Sequence, residues 1–486
     1  MRFYKGKKVK SKKDNVLSHF IYIGLGTVLS AVLGFFTTPY ILRVIDPTEY
    51  GKLSIFNSYG GIILSFAYLG LERGIVRFFY TRKNLQDEKN LLWFCLLSSF
   101  SAAAIIFCFL YILELLQLFK FEFSDSIYTL LIIYTLISIW NTFSNNLLRL
   151  TYQTKAYSFS MILQKIVYVL VIIIGVSQGK NDLEIVVLST ILSIASASLI
   201  AVLFTRKYWV ISSFGIPDDK NDIFKYSLPY VVYGFLFTLI DSMDKFFIRR
   251  FYSEYEVGVY TSAFSLIVLL TLVQSVFNTI WSPVQTEHFI KDPDDTTFIR
   301  KGNRYLTIIM FTVGFTVIFA KDILAFLLGQ EYREAVSYMP FLVIDSIMMI
   351  LVETINSGIN KSKKSYLYFI IASVACAVDF FLLLLLVPRV GPGGASVARS
   401  FTNIAYYYLT LYFSEKYYRI DYGNKKMCIV LVMCIIYSFI NSFMNVPVIN
   451  AVLYLLSVLI IIVIYRNDII DMFDYLKNYL ISFIRK

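Results

Sequence analysis

The sequence predicts an all-α integral membrane protein with about fourteen transmembrane helices. Hydrophobic residues make up 57% of the 486 residues and charged residues 16%, whereas soluble domains average about 45–50% and about 25%. The mean hydropathy is +0.66. The apolar residues form uninterrupted runs, unlike the alternating strands of a transmembrane barrel. These observations exclude a soluble enzyme, a disordered chain and a secreted disulfide scaffold.

A spanning helix needs about 20 apolar residues, and fourteen runs of roughly this length follow one another along the chain. The connections between them are short, and none is long enough to fold as a separate domain. The predicted spans are 17–45, 52–78, 91–119, 127–150, 157–178, 184–206, 224–251, 257–282, 302–321, 335–357, 365–388, 394–416, 426–444 and 448–466.

The distribution of basic residues predicts that both termini are cytoplasmic. Seven Lys and Arg residues precede the first span, and most of the chain's 45 lie on the same side once alternate loops are assigned to opposite sides. Cytoplasmic loops of membrane proteins are enriched in Lys and Arg. The net charge of +12 therefore reflects membrane orientation rather than nucleic-acid binding. The first apolar run, from Leu17 to Val44, is too long for a signal peptide.

A weak internal repeat divides the predicted helices into two bundles. Glu49-Tyr50-Gly51 after the first span corresponds to Glu256-Val257-Gly258 after the seventh, at the offset that also relates those two spans. An even number of spans between the copies predicts a pseudo-two-fold axis along the membrane normal. We predict a bundle with a basic cytoplasmic tail over 1–206, a cytoplasmic linker over 207–223, a second bundle over 224–416, and two added helices with a cytoplasmic tail over 417–486.

Enzyme signatures are missing from the sequence. It contains no HExxH, GxSxG or Walker motif and no paired cysteine ligands, so neither catalytic residues nor a metal site is predicted. The five cysteines lie inside apolar runs, and the two histidines are far apart. The glycines of Gly391-Pro392-Gly393-Gly394 are interpreted as a turn that opens a span. We therefore do not expect an enzyme.

Ionisable residues inside predicted spans are the candidates for function, because each costs about 2.5–3.5 kcal/mol at a helix centre on insertion scales. Asp241 and Lys245 are four residues apart, so they share a helix face and can pair. The residues predicted to bind substrate are Lys165, Lys245, Arg249, Arg73, Arg77 and Arg399. The residues predicted to couple an ion are Asp241, Asp345 and Asp379.

Several stretches of the sequence resemble the oligosaccharide and polysaccharide flippases of the multidrug/oligosaccharidyl-lipid/polysaccharide exporter superfamily. The resemblance extends over about 17–416, and its strength comes from the order and spacing of the stretches. They are Leu42 to Gly51, Leu69 to Phe79, Asp241 to Phe264, Leu324 to Pro340 and, more weakly, Gly393 to Ala398.

The resemblance implies a flippase that moves lipid-linked oligosaccharide repeat units, carried on undecaprenyl pyrophosphate, from the cytoplasmic to the outer leaflet by alternating access. It implies a bacterial or archaeal cytoplasmic membrane, and as partners the lipid-linked substrate, membrane lipid, a polysaccharide polymerase and glycosyltransferases, but no nucleic acid. No cofactor is implied apart from a coupling Na⁺ or H⁺.

Alternatives remain open at this point. The segment Leu17 to Leu42 contains no Arg or Lys. The lipid II flippases of the same superfamily carry arginines that line the cavity within their first spans. Lipid II is therefore disfavoured as the substrate. A multidrug or cation antiporter of the related extrusion branch is the main alternative, although the deep acidic residues lie in the second half. An integral-membrane sugar polymerase and a membrane scaffold are the others.

Overall fold

The structure is a computed structural model, and it describes residues 12–118, 123–179, 182–210, 215–292, 295–362, 364, 366–444 and 446–474. The predicted basic tail, apart from Lys12 and Lys13, therefore lies outside the described residues, as do 211–214 of the predicted linker. The described part of the chain is helical and contains no strand, as the sequence predicts.

The helices follow each other with short connections. They are α1 (Lys12–Val44), α2 (Pro47–Ala67), α3 (Leu71–Phe78), α4 (Leu85–Leu115), α5 (Asp125–Leu150), α6 (Thr154–Ser177), α7 (Leu183–Phe204), α8 (Arg206–Trp209), α9 (Lys220–Phe251), α10 (Glu254–Leu266), α11 (Val268–Lys291), α12 (Thr297–Phe319), α13 (Lys321–Ala325), α14 (Ala335–Ile355), α15 (Ser357–Ser362), α16 (Tyr366–Val390), α17 (Pro392–Tyr417), α18 (Asn424–Phe443) and α19 (Pro447–Ile464).

Ten helices in the described part of the chain are long and apolar enough to cross a membrane, or eleven if the bent pair α10 and α11 forms one span. The chain is thus a multi-pass membrane protein. Three predicted spans fall short of that criterion. The first contributes only the shorter apolar helix Val28–Val44, the second is broken between α2 and α3, and α17 carries many hydroxyl and amide side chains together with Arg399. The number fourteen remains a prediction.

The chain divides into two compact units. Unit 1 comprises 1–37 and 56–238, and unit 2 comprises 38–55 and 239–486. Helices α1, α2 and α9 each contribute to both units, because the division falls inside them. The predicted bundle boundaries at 206 and 224 stay a prediction.

In unit 1, a turn at Gly70 splits the predicted second span. Gly70 has a φ of 68°, a left-handed conformation that a side chain disfavours. A Cβ at this position would lie 2.1 Å from the carbonyl oxygen of Ser227, and one at Gly74 would lie 2.4 Å from the Ser227 hydroxyl oxygen. The two glycines therefore allow α3 to pack directly against the first turns of α9. Leu71 and Ile75 of α3 join the buried core of this unit.

In unit 2, α14 is the central helix. Nearly all of its residues are buried, and it packs against α10, α12, α17 and α18. Such a helix is apolar on all sides because neighbouring helices surround it. Asp345, in its middle, is 5% exposed, so its charge requires partners inside the unit.

The two glycines of the internal repeat meet each other within unit 2. A Cβ on Gly51 would lie 1.8 Å from the carbonyl oxygen of Glu254, and a Cβ on Gly258 would lie 1.9 Å from that of Pro47. Pro47 and Glu254 are themselves equivalent positions of the repeat. The contact is therefore reciprocal, and it brings the starts of α2 and α10 to backbone contact. Small residues permit such close approach between membrane helices.

Substitution of Gly258 by alanine is expected to destabilise the protein, because the added Cβ overlaps a backbone oxygen that cannot move without displacing α2. Overpacking of this kind costs about 1–3 kcal/mol. Thermal unfolding of the purified protein in detergent measures the effect. Gly234→Ala is the matched control, since a Cβ there meets nothing within 4 Å. Equal unfolding temperatures for Gly258→Ala and Gly234→Ala would contradict the contact.

Candidate functional site

Arg399 of α17 lies at the centre of a carboxylate cluster in unit 2. Its Nη2 is 2.5 Å from Asp241 Oδ1, its Nη1 is 3.2 Å from Asp244 Oδ2, and its Nε is 3.3 Å from Asp345 Oδ1. The Arg399 side chain is 13% exposed, and those of Asp244 and Asp345 are nearly inaccessible. One guanidinium thus joins α9, α14 and α17 through three ion pairs.

We call Arg399, Asp241, Asp244 and Asp345 the Arg399 cluster. Neutral groups around the cluster make further contacts with its charges. The Tyr260 hydroxyl donates a hydrogen bond to Asp244 Oδ2 at 2.8 Å. Asn403, one turn after Arg399, donates to Asp345. The guanidinium carbon lies 5.1 Å from the centre of the Phe264 ring, within cation–π range. The buried charges are therefore compensated by hydrogen bonds and an aromatic face as well as by each other.

Asp379 of α16 lies beside the Arg399 cluster but outside its ion pairs. The Thr402 hydroxyl donates to Asp379 Oδ1 at 2.9 Å, whereas Asp379 Oδ2 is buried and has no hydrogen-bond partner among the described residues. The residue is 1% exposed. A buried carboxylate oxygen without a partner is costly.

The sequence of α17 explains how Arg399 reaches the cluster. The helix begins with Pro392 directly after Gly391, in agreement with the predicted turn, and Pro is favoured in the first turn of a helix. Gly394 lies so close to α16 that a Cβ there would be 2.6 Å from the carbonyl oxygen of Leu386. Ala395 and Ala398 are fully buried. This small-residue face lets α17 pack closely, while Arg399, Thr402 and Asn403 carry the polar contacts.

Lys245 and Arg249, predicted to bind substrate, each bind a nearby group of the protein, but only Arg249 pairs with a carboxylate. Lys245 Nζ donates to the backbone carbonyl oxygen of Asp241 at 2.7 Å, so the lysine binds the backbone of its predicted partner while the carboxylate binds Arg399. Arg249 Nη2 lies 2.9 Å from Glu254 Oε1 at the start of α10. Both cations therefore have a protein partner in this state.

Three predicted cations in unit 1 carry no such partner. Arg73 and Arg77 of α3 are exposed, and neither makes a hydrogen bond or ion pair to a described residue. The Arg77 guanidinium carbon lies 6.0 Å from the centre of the Tyr226 ring of α9. Lys165 of α6 is exposed and likewise unpaired within the described ranges.

A polar cavity of about 440 Å³ lies in unit 2 next to the Arg399 cluster. Its lining includes Glu256, Glu334, Arg389 and Tyr338. The Tyr338 ring centre is 6.3 Å from that of Tyr260, whose hydroxyl binds Asp244. The Tyr338 and Tyr260 rings therefore connect the lining of this cavity to Asp244.

The family model described as polysaccharide biosynthesis protein matches residues 16–289, more than half of the chain. The chain belongs to this family. The resemblance proposed from the sequence motifs is thereby confirmed at the level of the family.

Solved structures with the same fold are membrane transporters. The lipid II flippase MurJ in an inward closed conformation has a TM-score of 0.67 at 14% identity, over 92% of this chain and 100% of that chain. A multidrug resistance transporter of the MATE family and the MOP superfamily, in its inward-facing conformation, has a TM-score of 0.57 at 14% identity, over 79% of this chain and 94% of that chain. At these identities the likeness establishes the fold alone. No curated protein matches the chain by sequence.

For this member of the polysaccharide biosynthesis family, the predicted site residues fall into separate groups. The structure brings Arg399, Asp241 and Asp345 together, with Asp379 beside them. Lys245 binds the backbone of Asp241, and Arg249 binds Glu254. The prediction omitted Asp244, Thr402 and Asn403 as site residues. Asp244 was detectable as a second ionisable residue in the same span, but no signal in one sequence distinguishes Thr402 or Asn403 from other polar residues of α17.

The variant Arg399→Gln is expected to lower the free energy of unfolding by about 3–5 kcal/mol, because it leaves buried carboxylates without a counter-charge. Thermal unfolding of the purified protein measures this loss. Arg389→Gln is the control, since Arg389 is exposed and its Nη1 donates only to the Leu385 carbonyl oxygen at 2.7 Å. Adding Asp244→Asn and Asp345→Asn to Arg399→Gln should recover part of the stability. A single Arg399→Gln variant as stable as the control would be incompatible with the ion pairs.

Proposed function

We propose that the chain is a flippase that moves a lipid-linked oligosaccharide, carried on undecaprenyl pyrophosphate, from the cytoplasmic to the outer leaflet for polysaccharide export. The observation that carries this proposal is the family match over 16–289, joined to a fold shared with membrane transporters. Export of a polysaccharide built on a lipid requires that the polar headgroup crosses the membrane. The chain would act by alternating access, with the lipid tail remaining in the bilayer.

Charge gives this direction of transport a physical basis. A pyrophosphate headgroup carries negative charge, and an inside-negative potential favours its outward movement by about 2.3 kcal/mol per charge per 100 mV. Such a headgroup needs cations that are not already neutralised. Arg73, Arg77 and Lys165 make no ion pair to a described residue, whereas Arg249 and Arg399 would have to exchange an acidic partner for the phosphates. Lys245 would have to exchange only a backbone carbonyl oxygen. Arg73 and Arg77 are therefore the primary phosphate ligands in this proposal.

The proposal includes an arrangement of fourteen spans in two halves with parallel topology, both termini being cytoplasmic. The reciprocal contact of Gly51 and Gly258 supports a two-fold relation between the repeats, and the distribution of Lys and Arg supports the orientation. The proposed location is a bacterial or archaeal cytoplasmic membrane, where glycosyltransferases would supply the substrate and a polymerase would consume it.

Deletion of the gene tests the function. Loss of a surface polysaccharide, with accumulation of its lipid-linked repeat unit inside the cell, is the expected result, because synthesis continues while translocation stops. Lipid extracts and surface glycans are compared between the deletion strain, the wild type and the complemented strain. An unchanged glycan profile with altered sensitivity to drugs or cations would instead support a multidrug or cation antiporter, which the fold shared with the MATE transporter also permits.

Asp379 is the best-placed of the three proposed ion-coupling residues, because Asp241 and Asp345 are engaged by Arg399. Asp379→Asn keeps the acceptor for Thr402 but removes the charge, so transport should lose any dependence on a Na⁺ or H⁺ gradient. Transport into inverted membrane vesicles, measured with and without each gradient, is the readout. Asp125→Asn at the start of α5 is the control. Unchanged gradient dependence in Asp379→Asn, and in the triple variant with Asp241→Asn and Asp345→Asn, would defeat the coupling proposal.

A further inference from the structure

Aromatic residues form a stripe along the first half of α9, within unit 1. Tyr226, Tyr230, Tyr233 and Phe237 follow one another at intervals of four, three and four residues, which places them on one face of a helix. The stripe extends about 16 Å along the helix axis at 1.5 Å per residue. We call these four residues the aromatic track.

The rings of the aromatic track contact each other in pairs and remain accessible. The ring centres of Tyr226 and Tyr230 are 5.5 Å apart, and those of Tyr233 and Phe237 are 6.2 Å apart. The three tyrosines are partly exposed, and Phe237 is 38% exposed. Phe224, Leu228 and Val231 of α9 lie on the opposite face of the helix, where they line an apolar pocket together with residues of α4. Packing against α4 therefore does not account for the track.

The track begins beside the two unpaired guanidinium groups of α3. Gly70 and Gly74 hold α3 against Ser227, and this contact puts Arg77 over the Tyr226 ring at 6.0 Å. Arg73 is four residues before Arg77 and so lies on the same face of α3. One end of the track thus carries two guanidinium groups that make no ion pair to a described residue, and the other three rings carry no charge.

We propose that this surface binds the headgroup of the transported lipid in a fixed direction, with the pyrophosphate at Arg73 and Arg77 and the sugar rings stacked along the aromatic track. The inference rests on the flippase function proposed above and assigns the substrate contacts within unit 1. Guanidinium groups bind phosphate oxygens through paired hydrogen bonds. The negative face of an aromatic ring attracts the C–H groups of a sugar ring, and tyrosine hydroxyls supply hydrogen bonds to sugar hydroxyls.

The chemistry of the track suits a chain of sugars of varied structure. Stacking depends on the apolar face of each ring rather than on one pattern of hydroxyl groups, so successive sugars can occupy successive aromatic residues. The length of about 16 Å accommodates several sugar rings. The charged end selects for the pyrophosphate link, while the aromatic part selects for the presence of sugar.

Two lipids that differ only in the sugar test this assignment. The probes are undecaprenyl pyrophosphate and the lipid-linked oligosaccharide extracted from the deletion strain, and binding of both is measured with the full chain in lipid nanodiscs. The variants are Tyr230→Leu with Tyr233→Leu, Tyr230→Phe with Tyr233→Phe, and Arg73→Gln with Arg77→Gln. Tyr111→Leu is the control, because Tyr111 is a tyrosine of α4 that is 55% exposed and lies outside the track.

The leucine variant should bind the lipid-linked oligosaccharide about tenfold more weakly and undecaprenyl pyrophosphate as the wild type does, because it loses two stacking rings. The phenylalanine variant should keep most of the affinity, and the glutamine variant should lose affinity for both lipids. If the leucine variant binds the lipid-linked oligosaccharide as the wild type does, or loses equal affinity for both lipids, the assignment of sugar binding to the aromatic track is wrong. Wild-type protein that binds neither lipid would instead overturn the flippase function itself.

Discussion

Burial of the Arg399 guanidinium is the constraint on which the architecture of unit 2 depends. A charge inside a membrane-spanning bundle requires compensation, and Arg399 obtains it from Asp241, Asp244 and Asp345. These partners lie on α9 and α14, so the ion pairs fix the rotation of both helices relative to α17. The small residues of α17 make the approach close enough for those contacts. Loss of the guanidinium would leave uncompensated carboxylates on α9 and α14.

Two arginines of unit 1 are treated differently. Arg73 and Arg77 are exposed and make no ion pair to a described residue, and Arg77 lies beside the Tyr226 ring. Paired charges stabilise a helix arrangement, whereas unpaired exposed charges are available to a ligand. The chain therefore combines a compensated cluster in one unit with a cationic surface in the other. This difference supports assigning ligand binding to α3 and the start of α9, and ion coupling to the surroundings of Asp379.

The sequence alone predicts much of the fold, because the apolar runs specify where helices lie and the ionisable residues within them mark the polar interior. It predicts the involvement of Arg399 and Asp345 for that reason. It does not reveal that they meet, because helical periodicity gives a face but neither the rotation of the helix nor its neighbour. The same limit explains why Lys245 was expected to bind the Asp241 carboxylate. The break at Gly70 escaped prediction because apolar residues resume after the charged pair Glu72 and Arg73, so the segment was counted as one span.

The spacing of the aromatic track is visible in the sequence, yet its meaning depends on α3 lying alongside it.

The central claim is translocation, and a flipping assay tests it most directly. The purified chain is reconstituted in liposomes with lipid-linked oligosaccharide extracted from the deletion strain, and an impermeant glycosidase reports the sugar in the outer leaflet. We expect protein-dependent exposure of the initially protected sugar to the glycosidase, accelerated when the potential is negative on the side from which the headgroup moves. Exposure no faster than in protein-free liposomes would contradict the account.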